Sequence, residues 1–305
     1  MSLAQSVTVM EVSPRDGLQN EATPVTTDDK LTLIHRALAA GFTRIEVTSF
    51  VHPGRVPQMA DAEAVCAGLP QRADVTYAAL ILNRRGYDRA LATGRIQEVG
   101  MVVPASDTFG ERNQGSTVDD SVAVGCEILR DAARRGIRAT ATIAVAFGCP
   151  FEGEVDAARV VDIAKRLADA GPVELALADT IGVGVPGQVL DLFGALGDSL
   201  GGIPLRAHFH NTRNTGIANA FAALTVGVAT LDASIGGIGG CPFAPKATGN
   251  IATEDLIYML DRMKIRHDGE LAAVIDTAHW LGGVLGKELP AMVSRAGGFP
   301  SSSIR

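Results

Sequence analysis

The chain has 305 residues, 47% of them hydrophobic and 20% charged, with a formal net charge of −7. Such a composition excludes disorder as the main state, and the length accommodates either two ordinary domains or one large α/β barrel. The acidic balance, with no basic stripe, argues against a nucleic-acid partner.

The first residues, Met1-Ser2-Leu3-Ala4-Gln5-Ser6, lack the basic start and long apolar core of a secretory leader. No uncharged apolar run reaches the length of a membrane span, the nearest being Ala139 to Phe151, so no membrane partner is expected. Cys66, Cys126, Cys149 and Cys241 form no C-x-x-C pair and no disulfide-like spacing. A reduced, cytoplasmic setting is the simplest expectation.

Short β-branched runs then alternate with amphipathic stretches of helical length. Taken along the chain, strands are predicted over Val7 to Val12, Thr43 to Thr48, Asp74 to Leu80, Ile96 to Val103, Arg138 to Val145, Val173 to Ala178, Leu205 to Phe209 and Ala229 to Ser234. Helices are predicted between them, among others over Thr27 to Ala40, Val118 to Arg135, Val155 to Ala170, Gly187 to Leu200 and Asn214 to Val226. Eight such βα units predict a TIM (β/α)8 barrel over about 7–240, with an active site at the carboxyl ends of its strands. A doubly wound open sheet would give the same alternation but would scatter the polar strand-end groups along one edge. Beyond residue 241 the pattern turns to helices, Thr253 to Met263 and Glu270 to Leu285, expected as an extension (about 241–305) over the barrel mouth. The whole chain reads as a single catalytic domain.

The most informative segment is Arg206-Ala207-His208-Phe209-His210-Asn211, because alternate side chains of a strand share a face and both imidazoles converge. Asp16, after the first strand, adds a carboxylate. Two imidazoles with a carboxylate and oxygen donors suit Mg²⁺, Mn²⁺ or Zn²⁺, whereas a closed thiolate zinc site has no support. In Ser13-Pro14-Arg15-Asp16-Gly17, Pro14 and Gly17 set an irregular turn that aims Arg15 into the mouth, where a guanidinium stabilises charge on a carbonyl oxygen. Read blandly, Arg15 and Asp16 are only a turn ion pair. Glu46 and Ser49 close the second strand, and Asp179 follows the sixth. Cys241 ends the glycine-rich Gly236-Gly237-Ile238-Gly239-Gly240, either a tight connection or a mobile lid bearing an acid/base thiol. Cys149, before Pro150, reads as a packing residue. Gly182-Val183-Gly184-Val185-Pro186-Gly187 matches G-x-G-x-x-G, but it lies in the sixth βα loop without the following acidic residue, so it reads as a βα turn.

With those residues in place, the chain resembles the 3-hydroxy-3-methylglutaryl-CoA lyase family of metal-dependent TIM-barrel lyases, from about Val7 to Leu260. The segments that carry the resemblance include Arg15-Asp16-Gly17-Leu18-Gln19-Asn20-Glu21, Glu46-Val47-Thr48-Ser49-Phe50, Val56-Pro57-Gln58-Met59, Gly148-Cys149-Pro150-Phe151-Glu152-Gly153, Asp179-Thr180-Ile181-Gly182 and Gly240-Cys241-Pro242-Phe243 with Gly249-Asn250. The resemblance implies that Asp16, His208, His210 and Asn250 bind a divalent metal, Mg²⁺ ahead of Mn²⁺ or Zn²⁺. It implies further that Arg15 binds the substrate's carbonyl end, that Cys241 transfers a proton, and that Glu46, Asp179 and Glu254 match acidic positions. His208 doubles as a proton-acceptor candidate, and Ser49 joins Arg15 on the substrate side.

The implied reaction is cleavage of 3-hydroxy-3-methylglutaryl-CoA to acetyl-CoA and acetoacetate. Departures from the family pattern at His52-Pro53-Gly54-Arg55, Ala176, Asn211 and Thr212-Arg213-Asn214-Thr215 bear on the substrate more than on the reaction class. Arg55 and Arg213 are candidates for a carboxylate or a CoA phosphate, or are solvated surface arginines. The alternatives are a lyase for a related acyl-CoA such as citramalyl-CoA, a Claisen-condensing synthase, and a catalytically silent acyl-CoA-binding barrel. An acyl-CoA and a second copy of the chain, in a dimer, are the expected partners.

Overall fold

Eight parallel strands close on themselves in the computed structural model, which describes residues 3–240 and 249–300. They are β1 (Ser6–Glu11), β2 (Arg44–Ser49), β3 (Thr76–Ile81), β4 (Glu98–Pro104), β5 (Arg138–Ala144), β6 (Glu174–Asp179), β7 (Leu205–Phe209) and β8 (Thr230–Ala233). Each pairs with the next, and β1 pairs with both β8 and β2 to shut the barrel. The predicted strands all appear, within one to two residues at each end.

Around them run α1 (Thr27–Ala39), α2 (Ala62–Gly68), α3 (Arg84–Ala92), α4 (Asp107–Asn113), α5 (Val118–Arg135), α6 (Ala157–Ala168), α7 (Pro186–Ser199), α8 (Gly216–Thr225) and α9 (Thr253–Arg262). Local chemistry sets their ends. Thr26 and Thr117 accept from Asp29 N and Asp120 N to start α1 and α5, and Gly136, left-handed at φ 70°, stops α5. The apolar stripe of α1, with Leu33, Ile34, Ala37 and Leu38, is buried. α2, α3 and α4 each have fewer than ten residues and so carry little helical periodicity in the sequence.

The C-terminal helices run from the base of the barrel to the rim of its mouth. α9 is the helix of the eighth βα unit, and β9 (Arg266–His267) then pairs with the base of β1. From there α10 (Leu271–Leu285) climbs back along the outside, packed against α1, before a last short turn, α11 (Val293–Ala296). On the amphipathic face of α10, Val274, Ala278, Leu281 and Leu285 are buried in the core. Only its far end reaches the rim, where Lys287 pairs with Glu21 at 2.6 Å.

The interior of the barrel is polar at its base. Arg44 Nη2 lies 2.7 Å from Glu98 Oε1 and 2.7 Å from Glu174 Oε2, and Arg206 Nε lies 3.3 Å from the same Glu174 oxygen. Outside the strands the packing is apolar: Ala207 and Phe209 of β7 belong to the main core, with Phe209 6.0 Å from Phe147 between ring centroids.

Two buried glutamates hold the rim after β8. Glu11 accepts from Ser13 N, Ile235 N and Thr253 Oγ1, tying β1 to the start of α9. Glu254 accepts from Gly236 N at 3.0 Å and from Ser294 Oγ, and burial pushes its pKa up to about 7 from an ordinary 4.5. An acid whose folded pKa is raised binds more protons folded than unfolded, so its contribution is fully present below about pH 4.5 and is lost as pH rises through 7. Glu254→Gln removes that loss. The variant is expected to match the wild type in thermal unfolding at pH 5 and to exceed it at pH 8 by on the order of 2 kcal/mol. Equal pH dependence in the two proteins would refute the shifted titration.

Candidate active site

The strand-end turn after β1 is built first. Residues Ser13–Gly17 make one wide turn, closed by Gly17 N donating to Val12 O at 3.1 Å, with Pro14 at its start. Only glycine fits at position 17, because a Cβ there would meet Ser234 Oγ at 2.7 Å and the Ile238 side chain at 2.8 Å. The turn thereby presents Arg15 and Asp16 to a cavity of about 390 Å³ at the carboxyl ends of the strands.

β7 supplies the second part. Its period of two places Arg206, His208 and, just past its end, His210 on the cavity side, while Ala207 and Phe209 pack outward. His208 Nε2 and His210 Nε2 lie 3.8 and 3.7 Å from Asp16 Oδ2. Among the described residues these three form a group whose ligand atoms all lie within 4.8 Å of one another.

Asn250 arrives from forty residues further on, through a bridge with His210. Its Nδ2 donates to Asp16 Oδ2 at 2.8 Å and to Ile238 O at 3.1 Å. Gly239 allows this approach, since φ there is +122° and a Cβ would fall 2.5 Å from Nδ2. The amide orientation is thus set, and Asn250 Oδ1 is buried with no hydrogen-bond partner among the described residues.

Electrostatics separates the two acids around Arg15. Arg15 Nη1 is 2.6 Å from Asp16 Oδ1 and Nε is 2.5 Å from Glu46 Oε2. Burial opposes ionisation of Asp16, but the Arg15 guanidinium and the two imidazoles outweigh it and hold its pKa well below the usual carboxylate range. For Glu46 burial wins against Arg15, helped by Asp16 and Asp232, and its pKa is raised. Asp16 is therefore the anionic ligand type of the pair. An ionised carboxylate, two imidazoles and an orphaned amide oxygen form a mixed N/O set that fits a divalent cation.

Other expected site residues stand further off. Asp179 accepts from Val183 N and Gly184 N, both at 2.9 Å, and so holds the turn of its own loop; it does not line the cavity. The G-x-G-x-x-G segment is that βα turn. Ser49 is buried, its hydroxyl without a hydrogen-bond partner among the described residues, and it too is absent from the cavity lining. Arg213 donates to Ile181 O and Gly182 O, whereas Arg55 lines the cavity and is exposed. Asn211 accepts from Gly216 N and starts α8. Cys149 is buried and accepts from Ser106 Oγ, consistent with packing. Cys241 lies outside the described residues.

Sequence reasoning missed Asp232. It is the register partner of His208 across β7 and β8, is buried, and its Oδ2 lies 3.1 Å from His208 Nδ1. The available signal was an acid inside the short apolar strand Ala229-Thr230-Leu231-Asp232-Ala233. No helix of the described residues is long and apolar enough to cross a membrane.

The HMGL-like family model matches residues 6–281. The (R)-citramalyl-CoA lyase of Chloroflexus aurantiacus is 42% identical, with 96% of this chain and 95% of that protein covered. The 3-hydroxy-3-isohexenylglutaryl-CoA/hydroxy-methylglutaryl-CoA lyase of Pseudomonas aeruginosa is 40% identical, covering 97% and 98%. Among solved structures, the hydroxymethylglutaryl-CoA lyase of Pseudomonas aeruginosa superposes with a TM-score of 0.92 at 40% identity over 97% of this chain and 98% of that one. The lyase of Acinetobacter baumannii, in complex with coenzyme A and 3-methylmalate, gives 0.93 at 37% over 100% and 99%. With barrel, ligand group and end-to-end match in one chain, the protein belongs to the HMGL-like family and is an enzyme of the acyl-CoA lyase type.

Proposed function

We propose that this enzyme cleaves 3-hydroxy-3-methylglutaryl-CoA to acetyl-CoA and acetoacetate. The observation that carries this reading is the convergence of Arg15, Asp16, His208 and His210 on one cavity at the carboxyl ends of the strands, with Asn250 bonded to Asp16 beside them. A divalent ion, Mg²⁺ in this reading, would be held by Asp16, His208, His210 and Asn250 and would supply Lewis acidity to the substrate's oxygens.

The residues of the chain divide the remaining work. Glu46 lines the cavity, one of its oxygens holds Arg15, and burial raises its pKa, so it takes the proton of the tertiary hydroxyl. The hydroxyl oxygen becomes the ketone of acetoacetate as the C–C bond breaks, and the electron pair passes to the carbon next to the thioester. Arg15 holds the negative charge that develops on the thioester oxygen. Cys241 returns a proton to that carbon, which balances the step. His208 serves as ligand and not as proton acceptor, because its Nδ1 already faces Asp232. Asp179 positions the loop after β6, and Arg55 at the mouth meets an anionic group of the substrate. The cytoplasm and a homodimer are the setting this reading carries with it; the buried free thiols of Cys66, Cys126 and Cys149 suit a reducing compartment.

A second reading, cleavage of citramalyl-CoA, is favoured by the 42% identity to a lyase of that name. Acetyl-CoA release from the two substrates, with Mg²⁺ and after chelation, decides between them. Metal-dependent release from 3-hydroxy-3-methylglutaryl-CoA is expected; no release from either, with the ion bound, would refute both.

Three variants test the assignments. Asp16→Asn should lower Mn²⁺ affinity in calorimetry by at least about 100-fold and abolish turnover, whereas wild-type affinity removes Asp16 from the ligand set. Cys241→Ser should slow the chemical step by roughly 10²–10⁴ with metal content unchanged, and unaltered turnover would make the thiol incidental. Arg55→Ala should raise KM about tenfold and leave kcat near wild type, the loss of one charge-assisted contact. An unchanged KM would return Arg55 to the solvated surface.

A further inference from the structure

His208 touches more than its neighbours at the mouth. Its Nδ1 lies 3.1 Å from Asp232 Oδ2, and Asp232 Oδ1 lies 3.4 Å from Arg206 Nη1. Arg206 is itself held in place: Nη2 donates to Thr142 Oγ1 at 3.0 Å and Nε lies 3.3 Å from Glu174 Oε2. All three of His208, Asp232 and Arg206 are buried.

A neutral imidazole has one N–H and one lone pair, and an ionised carboxylate only accepts. Asp232 faces the Arg206 guanidinium with its other oxygen, a group that only donates and whose charge a carboxylate balances. Facing that carboxylate, Nδ1 must donate, which leaves the lone pair on Nε2, the nitrogen 3.8 Å from Asp16 Oδ2. We propose that Asp232 is a positioning residue that commits His208 to the tautomer with its proton on Nδ1, turning the Nε2 lone pair toward Asp16, and that Arg206 keeps Asp232 in that orientation. The consequence for ion affinity rests on the divalent-ion reading above; the tautomer itself does not.

Arg206 also makes the test sharp. A guanidinium only donates, so in Asp232→Asn the amide oxygen stays toward Arg206 and the NH₂ group turns to His208. His208 Nδ1 must then accept, and the proton moves to Nε2. In ¹⁵N-histidine-labelled apoprotein, at a pH where the imidazole is neutral, long-range ¹H–¹⁵N correlation should show Nδ1–H for wild-type His208 and Nε2–H in Asp232→Asn, with His210 unchanged. The His208 resonance is identified by its loss in His208→Gln. Mn²⁺ affinity, read by calorimetry on the same samples, should fall about 10–100-fold in Asp232→Asn.

Nε2–H in the wild type, an unaltered tautomer in the variant, or unaltered Mn²⁺ affinity in a folded variant would each overturn the proposal. The wild-type spectrum decides the matter even if the variant does not fold. Should the wild type bind no Mn²⁺, the ion reading fails by itself, and the tautomer measurement still supports or overturns the role of Asp232.

Discussion

Inside the barrel, charge is balanced along one continuous path: Glu98 to Arg44, Arg44 to Glu174, Glu174 to Arg206, Arg206 to Asp232, Asp232 to His208. None of these groups has access to enough water to be left alone, and removing one partner of a buried pair costs on the order of 3–5 kcal/mol. The path therefore constrains several strands at once, since β2, β4, β6, β7 and β8 each contribute a member. Its physical effect is orientation more than net stability, because desolvation of so many charges offsets much of their attraction. At its upper end the path delivers one imidazole, held by a carboxylate, to the catalytic mouth.

Above that path the mouth works by contrast between neighbouring acids. Asp16 and Glu46 both contact Arg15, yet the pKa of one is lowered and that of the other is raised. The difference follows from what else each acid faces: Asp16 has two imidazoles, whereas Glu46 has two further carboxylates. One guanidinium thus pairs with two acids whose pKa values move in opposite directions. Such separation of two carboxyl groups by environment is how a site obtains an anion and a base at the same pH.

Much of this was legible in the sequence. The strands could be read because a barrel of parallel strands repeats one pattern eight times, and the paired histidines could be read because a strand's period is two. The turn at Arg15 and Asp16 carried its own markers in Pro14 and Gly17. For Asp179 the sequence shows an acid at a strand end, and only the structure shows that it accepts from Val183 N and Gly184 N of its own loop. For the C-terminal helices an amphipathic pattern tells which face is buried but not against what.

By itself, then, the sequence determined the order of the elements, the barrel class and the residue types able to bind an ion, because these depend on local periodicity and on side-chain chemistry. Tertiary structure alone decided which of them meet. Asn250 joins Asp16 across 234 positions of chain, and Asp232 becomes the partner of His208 only through the register of β7 against β8. Register and barrel closure arise from pairing between distant strands, and such pairing leaves no periodic trace in either strand alone.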